Sequence, residues 1–127
     1  MQNFYNGEKL NSLSQSLERL SEILAAPVTV ANRDSAIKRF ELTFELSWKC
    51  LKEFLGGKGI VCRSPRDCFE QGFSLGLIGD DPLWLKMLED RNLSVHTYNE
   101  KLAEDIYGRL KDYLRLFTEL RGSLVTK

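Results

Sequence analysis

The chain has 127 residues, and its eighteen Lys and Arg side chains balance eighteen Asp and Glu with the one histidine neutral. A chain of this length fits a single domain that buries a core without metal or disulfide. The charge balance excludes a net positive field that would gather nucleic acid or an anionic membrane, so any RNA contact has to be local.

No stretch approaches the roughly 18 to 20 apolar residues of a membrane span. The opening "MQNFYNGEKL" lacks the charged start and apolar run of a signal peptide. A cytoplasmic protein with no membrane partner is expected.

Leu10, Leu13, Leu17, Leu20 and Leu24 recur at steps of three and four with charged residues between them. The spacing predicts an amphipathic helix from about Glu8 to Ala25, stopped before Pro27. Asp34 or Ser35 can cap a second helix that carries Ile37, Phe40, Phe44, Trp48, Leu51 and Leu55 on one face. Leu42, Leu46 and Cys50 add a second apolar stripe, which makes this helix the central element. "GGKG" at 56 to 59 ends it, because glycine reaches left-handed backbone at little steric cost.

Ser64 as N-cap and Pro65 at the first helical position predict a short third helix over about 65 to 75. Asp81 and Pro82 repeat that signature for a helix holding Leu83, Trp84, Met87, Leu88 and Leu93. Thr97 or Asn99 can cap the last helix, with Thr97 and Glu100 at capping-box spacing. Its stripe runs from Leu102 through Ile106, Leu110, Tyr113 and Leu114 to Phe117, and it is expected to end near Arg121 and Gly122. The expected fold is all-α: a four-helix up-and-down bundle with a short additional helix, in one domain over residues 1–127.

Cys50, Cys62 and Cys68 form no CxxC pair, and His96 is the one possible imidazole ligand. Reduced, buried structural thiols are expected, with no metal site and no cofactor. Phosphate-loop, dinucleotide-binding, zinc-protease and nucleophile-elbow signatures are absent.

The stretch "EDRNLSVHTY" at 89 to 98 holds Arg91, Asn92, His96 and Tyr98. Arg91 offers a planar fork of donors to a phosphate, and the His96 imidazole can shuttle a proton, so together they suit metal-free RNA cleavage by a 2′-hydroxyl. Asn92 can orient a neighbour or a phosphate. Tyr98 can hydrogen-bond a phosphate or accept a modification. The plainer reading is that Arg91 pairs with Glu89, Asp90 or a neighbouring helix, and that His96 is a polar residue at a helix end.

On a straight helix, residues five apart point about 140° apart and lie roughly 7.5 Å apart along the axis. Arg91 and His96 can therefore meet only if the helix ends between Leu93 and His96, or if a second subunit supplies one of them. Upstream, Glu41, Glu45 and Lys49 share one helix face. They read as a solvated salt-bridge ladder or, alternatively, as the polar edge of a groove. Phe40, Phe44 and Trp48 read as core rather than as a base-stacking platform.

In "RFELTFELSWKCLKEFL", "SPRDCFEQGFSLGLI" and "WLKMLEDRNLSVHTYNEKLAEDIY" the chain resembles the nucleotidyltransferase substrate-binding family of the helical HEPN superfamily, over about residues 8 to 118. Arg91, His96 and Tyr98 match its RxxxxHxY arrangement, with Asn92 after the arginine. The resemblance implies a homodimer paired with a separately encoded minimal nucleotidyltransferase in a toxin-antitoxin type system. It implies a metal-independent ribonuclease with Arg91 and His96 at the cleft, silenced by AMP transfer to Tyr98. It equally admits a non-catalytic subunit that binds substrate or nucleotide for the transferase.

Overall fold

Leu13, Leu17, Leu20 and Leu24 are all buried, as their spacing requires, along the inner face of α1 (Gly7–Ala25). In the computed structural model, which describes residues 7–126, α2 (Val30–Gly57), α3 (Pro65–Ser74), α4 (Leu83–Leu93) and α5 (Glu100–Thr126) follow, and a short 3-10 turn, Ser94–His96, joins α4 to α5. Among the described residues there is no strand. The leader reading made on "MQNFYNGEKL" falls largely outside the described residues.

Side-chain contacts fix the direction of each helix. Lys9 meets Glu53 and Ser16 meets Thr43, so α1 and α2 run antiparallel. Arg33 reaches Glu100 and Phe40 stacks on Tyr113, so α2 and α5 run the same way. Asp81 meets Arg115 while Asp90 meets Arg109, which sets α4 antiparallel to α5. The bundle is thus up-and-down, with α4 in the fourth position and α3 as the short extra helix against α2.

Five aromatic side chains close a ring through four of these helices. Phe40 and Phe44 on α2, Phe69 on α3, Trp84 on α4 and Phe117 on α5 meet in turn, with centroids 6.4, 5.9, 4.7, 6.4 and 6.2 Å apart around the cycle. These separations lie in the range of favourable tilted and edge contacts. Phe40 and Phe44 are therefore core, as their spacing predicts. Trp48 is only half-buried, donating from Nε1 to Glu45 at 3.3 Å.

Four expectations need correction. Helix α2 begins at Val30 instead of after Asp34, because Thr29 Oγ1 accepts the Asn32 N–H at 3.0 Å and supplies the cap one turn earlier. Leu42, assigned to an apolar stripe, is 53% exposed. Helix α5 runs through Gly122 to Thr126, because Leu124 continues the inward stripe into the core and Arg121 Nε donates to Ser14 Oγ at 2.6 Å.

The fourth correction concerns the thiols: Cys62 and Cys68 are joined as a disulfide, and Cys50 alone is free. The loop after Gly59, which turns at φ 79°, folds Cys62 back onto the first turns of α3. Their Cα atoms come within 5.1 Å, inside the range a disulfide spans. Burial pushes the Cys50 thiol up to about 12.

The remaining boundaries follow the sequence signals. Gly57 ends α2 and Ser64 Oγ accepts the Asp67 N–H. Asp81 Oδ1 accepts the Leu83 N–H at the start of α4. Of the two caps considered for α5, Asn99 is used: its Oδ1 accepts the Leu102 N–H, while Thr97 donates back to the Ser94 carbonyl, so the capping box does not form. Among the described residues no helix is long and apolar enough to cross a membrane.

Candidate functional site

Helix α4 stops at Leu93, which meets one of the two conditions set by helical geometry. The backbone tightens into the turn Ser94–His96 and then enters α5 at Glu100. Arg91, Asn92, His96 and Tyr98 therefore occupy the end of one helix and the corner that follows it.

Consecutive residues of α4 face different neighbours. Asp90, fully buried, accepts from Arg109 Nε at 2.6 Å, from Arg109 Nη2 at 2.9 Å and from Tyr113 Oη at 2.5 Å, all on α5. Burial, reinforced by that bond to Asp90, drives the Tyr113 phenol well above its ordinary range and keeps it neutral. Arg91 turns instead to α2, with Nη1 3.9 Å from Glu41 Oε2 and Nη2 3.7 Å from Glu45 Oε1. Glu89 is held by Lys86 at 3.2 Å.

The two guanidinium groups of α4 and α5 differ in kind. Arg109 grips a carboxylate through two short hydrogen bonds. Arg91 is compensated electrostatically at longer range, and among the described residues its side chain makes no hydrogen bond; its Nε is buried without a partner. A half-buried guanidinium with unfilled donors is poised to take the oxygens of an anion.

Glu45 lines an open groove beside Arg91, the alternative reading of that spacing, whereas Glu41 does not. Glu45 also keeps the ladder contact to Lys49, at 3.8 Å. Glu41 does more than meet Arg91: its Oε2 accepts from the Ser94 hydroxyl at 2.5 Å, and its Oε1 lies 3.7 Å from Lys38.

His96 closes the 3-10 turn, exposed, with Nδ1 3.2 Å from Tyr98 Oη in a shared hydrogen bond and the two rings set edge to face at 86°. Tyr98 is 83% exposed, so its hydroxyl is open to a second protein. Arg91 and Asn92 line an open cavity of about 570 Å³ between α2, the start of α3 and α4, bounded by Phe44, Ser64 and Leu88. Its lining includes neither His96 nor Tyr98.

The structure brings Arg91 beside Asn92, and His96 against Tyr98. Among the described residues no hydrogen bond or ion pair joins Arg91 to His96 within one chain. Sequence reasoning marked Glu41 through its helical spacing but had no signal for Ser94, whose 3% exposure and bond to α2 are tertiary facts. Among the described residues there is no cluster of His, Cys, Asp and Glu fit to hold a metal ion.

The family described as nucleotidyltransferase substrate binding protein like matches residues 3–126. A protein of Haemophilus influenzae named "Probable ribonuclease HepT" is 31% identical over 84 residues, a stretch that covers 62% of this chain and 58% of that protein's length. A crystal structure of ttk003001694 from Thermus thermophilus is 40% identical with a TM-score of 0.84, covering 88% of this chain and 98% of that one. The solved structure of HI0074 from Haemophilus influenzae, described as revealing the fold of a substrate binding domain of a nucleotidyltransferase, is 26% identical with a TM-score of 0.81 over 91% of this chain and 98% of that one.

Proposed function

This chain belongs to the nucleotidyltransferase substrate-binding protein-like family, and on that premise we propose that it is the helical partner of a separately encoded minimal nucleotidyltransferase and a metal-independent ribonuclease. In this reading the pair forms a toxin-antitoxin type system, the helical chain acts as a homodimer in the cytoplasm, and AMP transfer to Tyr98 silences it. The observation that carries the reading is the Arg91 guanidinium, half-buried between Glu41 and Glu45 with no hydrogen bond made among the described residues, one helix end away from His96.

The chemistry needs no metal. The 2′-hydroxyl oxygen forms a bond to the adjacent phosphorus, the bond from phosphorus to the 5′-oxygen breaks, and the products are a 2′,3′-cyclic phosphate and a free 5′-hydroxyl. Arg91 binds the non-bridging oxygens and offsets charge as it builds there. His96 takes the 2′-hydroxyl proton or returns one to the leaving oxygen. Two such roles and one histidine per chain call for a second copy, whose His96 supplies the other proton transfer across the two-fold axis. Asn92, beside Arg91 on the cavity wall, orients the bound nucleotide.

The corner geometry supports this silencing. The Tyr98 phenol oxygen attacks the α-phosphorus of ATP, pyrophosphate leaves, and the phenolic proton passes to solvent. The hydroxyl shared with His96 Nδ1 is consumed, and an anionic nucleotide stands beside the histidine. The exposure of Tyr98 supports its meeting a transferase active site.

A second reading, a non-catalytic subunit that binds nucleotide or substrate for the transferase, is favoured by the absence of net charge, since strong RNA binders are usually basic. One experiment separates the two: purified protein is incubated with RNA in EDTA, and separately with ATP and the transferase. Cleavage and a Tyr98-dependent gain of AMP mass support the first reading. Intact RNA, together with a transferase whose activity on another acceptor requires this chain, supports the second.

A further inference from the structure

The carboxylate of Glu41 stands between both halves of the candidate site. Its Oε2 lies 3.9 Å from Arg91 Nη1 and 2.5 Å from Ser94 Oγ, and the side chain is only 16% exposed. Ser94 opens the turn that His96 closes, is 3% exposed, and takes the Thr97 hydroxyl on its carbonyl. The Ser94 hydroxyl is also 2.8 Å from the Arg91 carbonyl. It has one proton to give, and the ionised carboxylate is the stronger acceptor, so the bond to Glu41 takes it.

We propose that Glu41, through Ser94, is a positioning residue that holds the turn bearing His96 in a fixed place relative to the Arg91 guanidinium. The proposal rests on the ribonuclease reading for its kinetic consequence but not for its structural one. Helix α4 has already ended at Leu93, so the position of His96 is set by what anchors the turn. Val95 and His96 are exposed, and Ser94 is the buried residue of the three. Among the described residues, the Ser94 hydroxyl makes the side-chain hydrogen bond that ties this turn to α2, the helix whose carboxylates flank Arg91.

Three variants of the full chain separate the hydrogen bond from the charge. Ser94→Ala and Glu41→Ala remove the bond. Glu41→Gln keeps an amide carbonyl to accept it and loses the negative charge beside Arg91. The expected result is a fall of about a hundredfold in kcat for RNA cleavage in the two alanine variants, the scale of an ångström of misplacement, with KM changed by less than about threefold. In Glu41→Gln, kcat stays within about threefold of the wild type.

The single histidine gives an independent readout, because its ring supplies one well-separated proton resonance. That resonance shifts in Ser94→Ala and Glu41→Ala and stays in place in Glu41→Gln. If the wild type leaves RNA intact, the ribonuclease reading fails and the histidine resonance alone decides the positioning role. An unmoved resonance in both alanine variants, or a Glu41→Gln protein that behaves like Glu41→Ala, overturns the proposal.

Discussion

Asp90 and Arg91 are neighbours in sequence whose charges are answered on different helices: Asp90 by Arg109 and Tyr113 of α5, Arg91 by Glu41 and Glu45 of α2. The first set is short and hydrogen-bonded, and the second is long and open. One residue anchors α4, and the next is left free to bind.

That division predicts opposite consequences for two substitutions. Asp90→Asn leaves Arg109 without its carboxylate in a partly buried setting and is expected to cost about 3 kcal/mol of folding stability, the lower end for breaking a buried pair. Arg91→Ala is expected to cost less than about 1 kcal/mol, since its ion pairs are long and half-exposed. Urea unfolding of both variants checks this. A reversal of the order would show that Arg91 is the structural member.

Activity is expected to divide the other way. Arg91→Ala removes the phosphate contact, and Arg91→Lys restores little of it, because a point ammonium does not reproduce the two-pronged fork. Cleavage assays on both, with circular dichroism to confirm the fold, read the difference. Full activity in the lysine variant would mean that charge alone suffices there.

The fold was legible where a single helix decides it. The leucine stripe of α1 and the Ser64-Pro65 start of α3 depend on residues within one or two turns and stand where their spacing puts them, and α4 begins at Leu83, one residue after the expected Pro82, with Asp81 Oδ1 accepting the Leu83 N–H. The misreadings have longer reach or finer competition. Thr29 outcompeted Asp34 as a cap because the residues between them, Val30 to Arg33, are themselves helical and Arg33 is drawn inward to Glu100. Cys62 and Cys68 are six apart in sequence, and the entry into α3 between them, with Ser64 capping the helix and Asp67 Oδ2 accepting the Arg63 N–H, brings them together.

The site was legible in the same uneven way. The spacing of Arg91, His96 and Tyr98 is a sequence pattern, and the requirement that the helix end before His96 follows from its pitch. Ser94 carried no signal, because its importance lies in a bond to a residue 53 positions away.

Thiol counting tests the disulfide directly. Native protein without reductant should show no rapidly reacting thiol, since Cys50 is buried and its pKa is raised to about 12. Denaturation without reductant should release Cys50 alone, and denaturation with reductant all three cysteines. Three reactive thiols before reduction would restore the reduced state expected from the sequence.

The same burial fixes a pH dependence. The folded state holds Cys50 neutral up to about 12, whereas the unfolded chain ionises it near 9.0, so its effect on stability is absent below that value and turns unfavourable as pH rises between the two. Tyr113, raised by burial and by Asp90, acts with the same sign. Urea midpoints should therefore fall between about pH 8 and pH 10.5, and Cys50→Ala should lessen the fall if it folds normally at neutral pH.

Metal-free cutting of RNA by Arg91 and His96 is decided by incubating the purified, unmodified wild type and His96→Ala with a mixed-sequence RNA in EDTA. Fragments ending in a 2′,3′-cyclic phosphate are expected from the wild type, and intact RNA from a variant that unfolds at the same urea concentration. RNA left intact by the wild type, or cut equally by both, would contradict it.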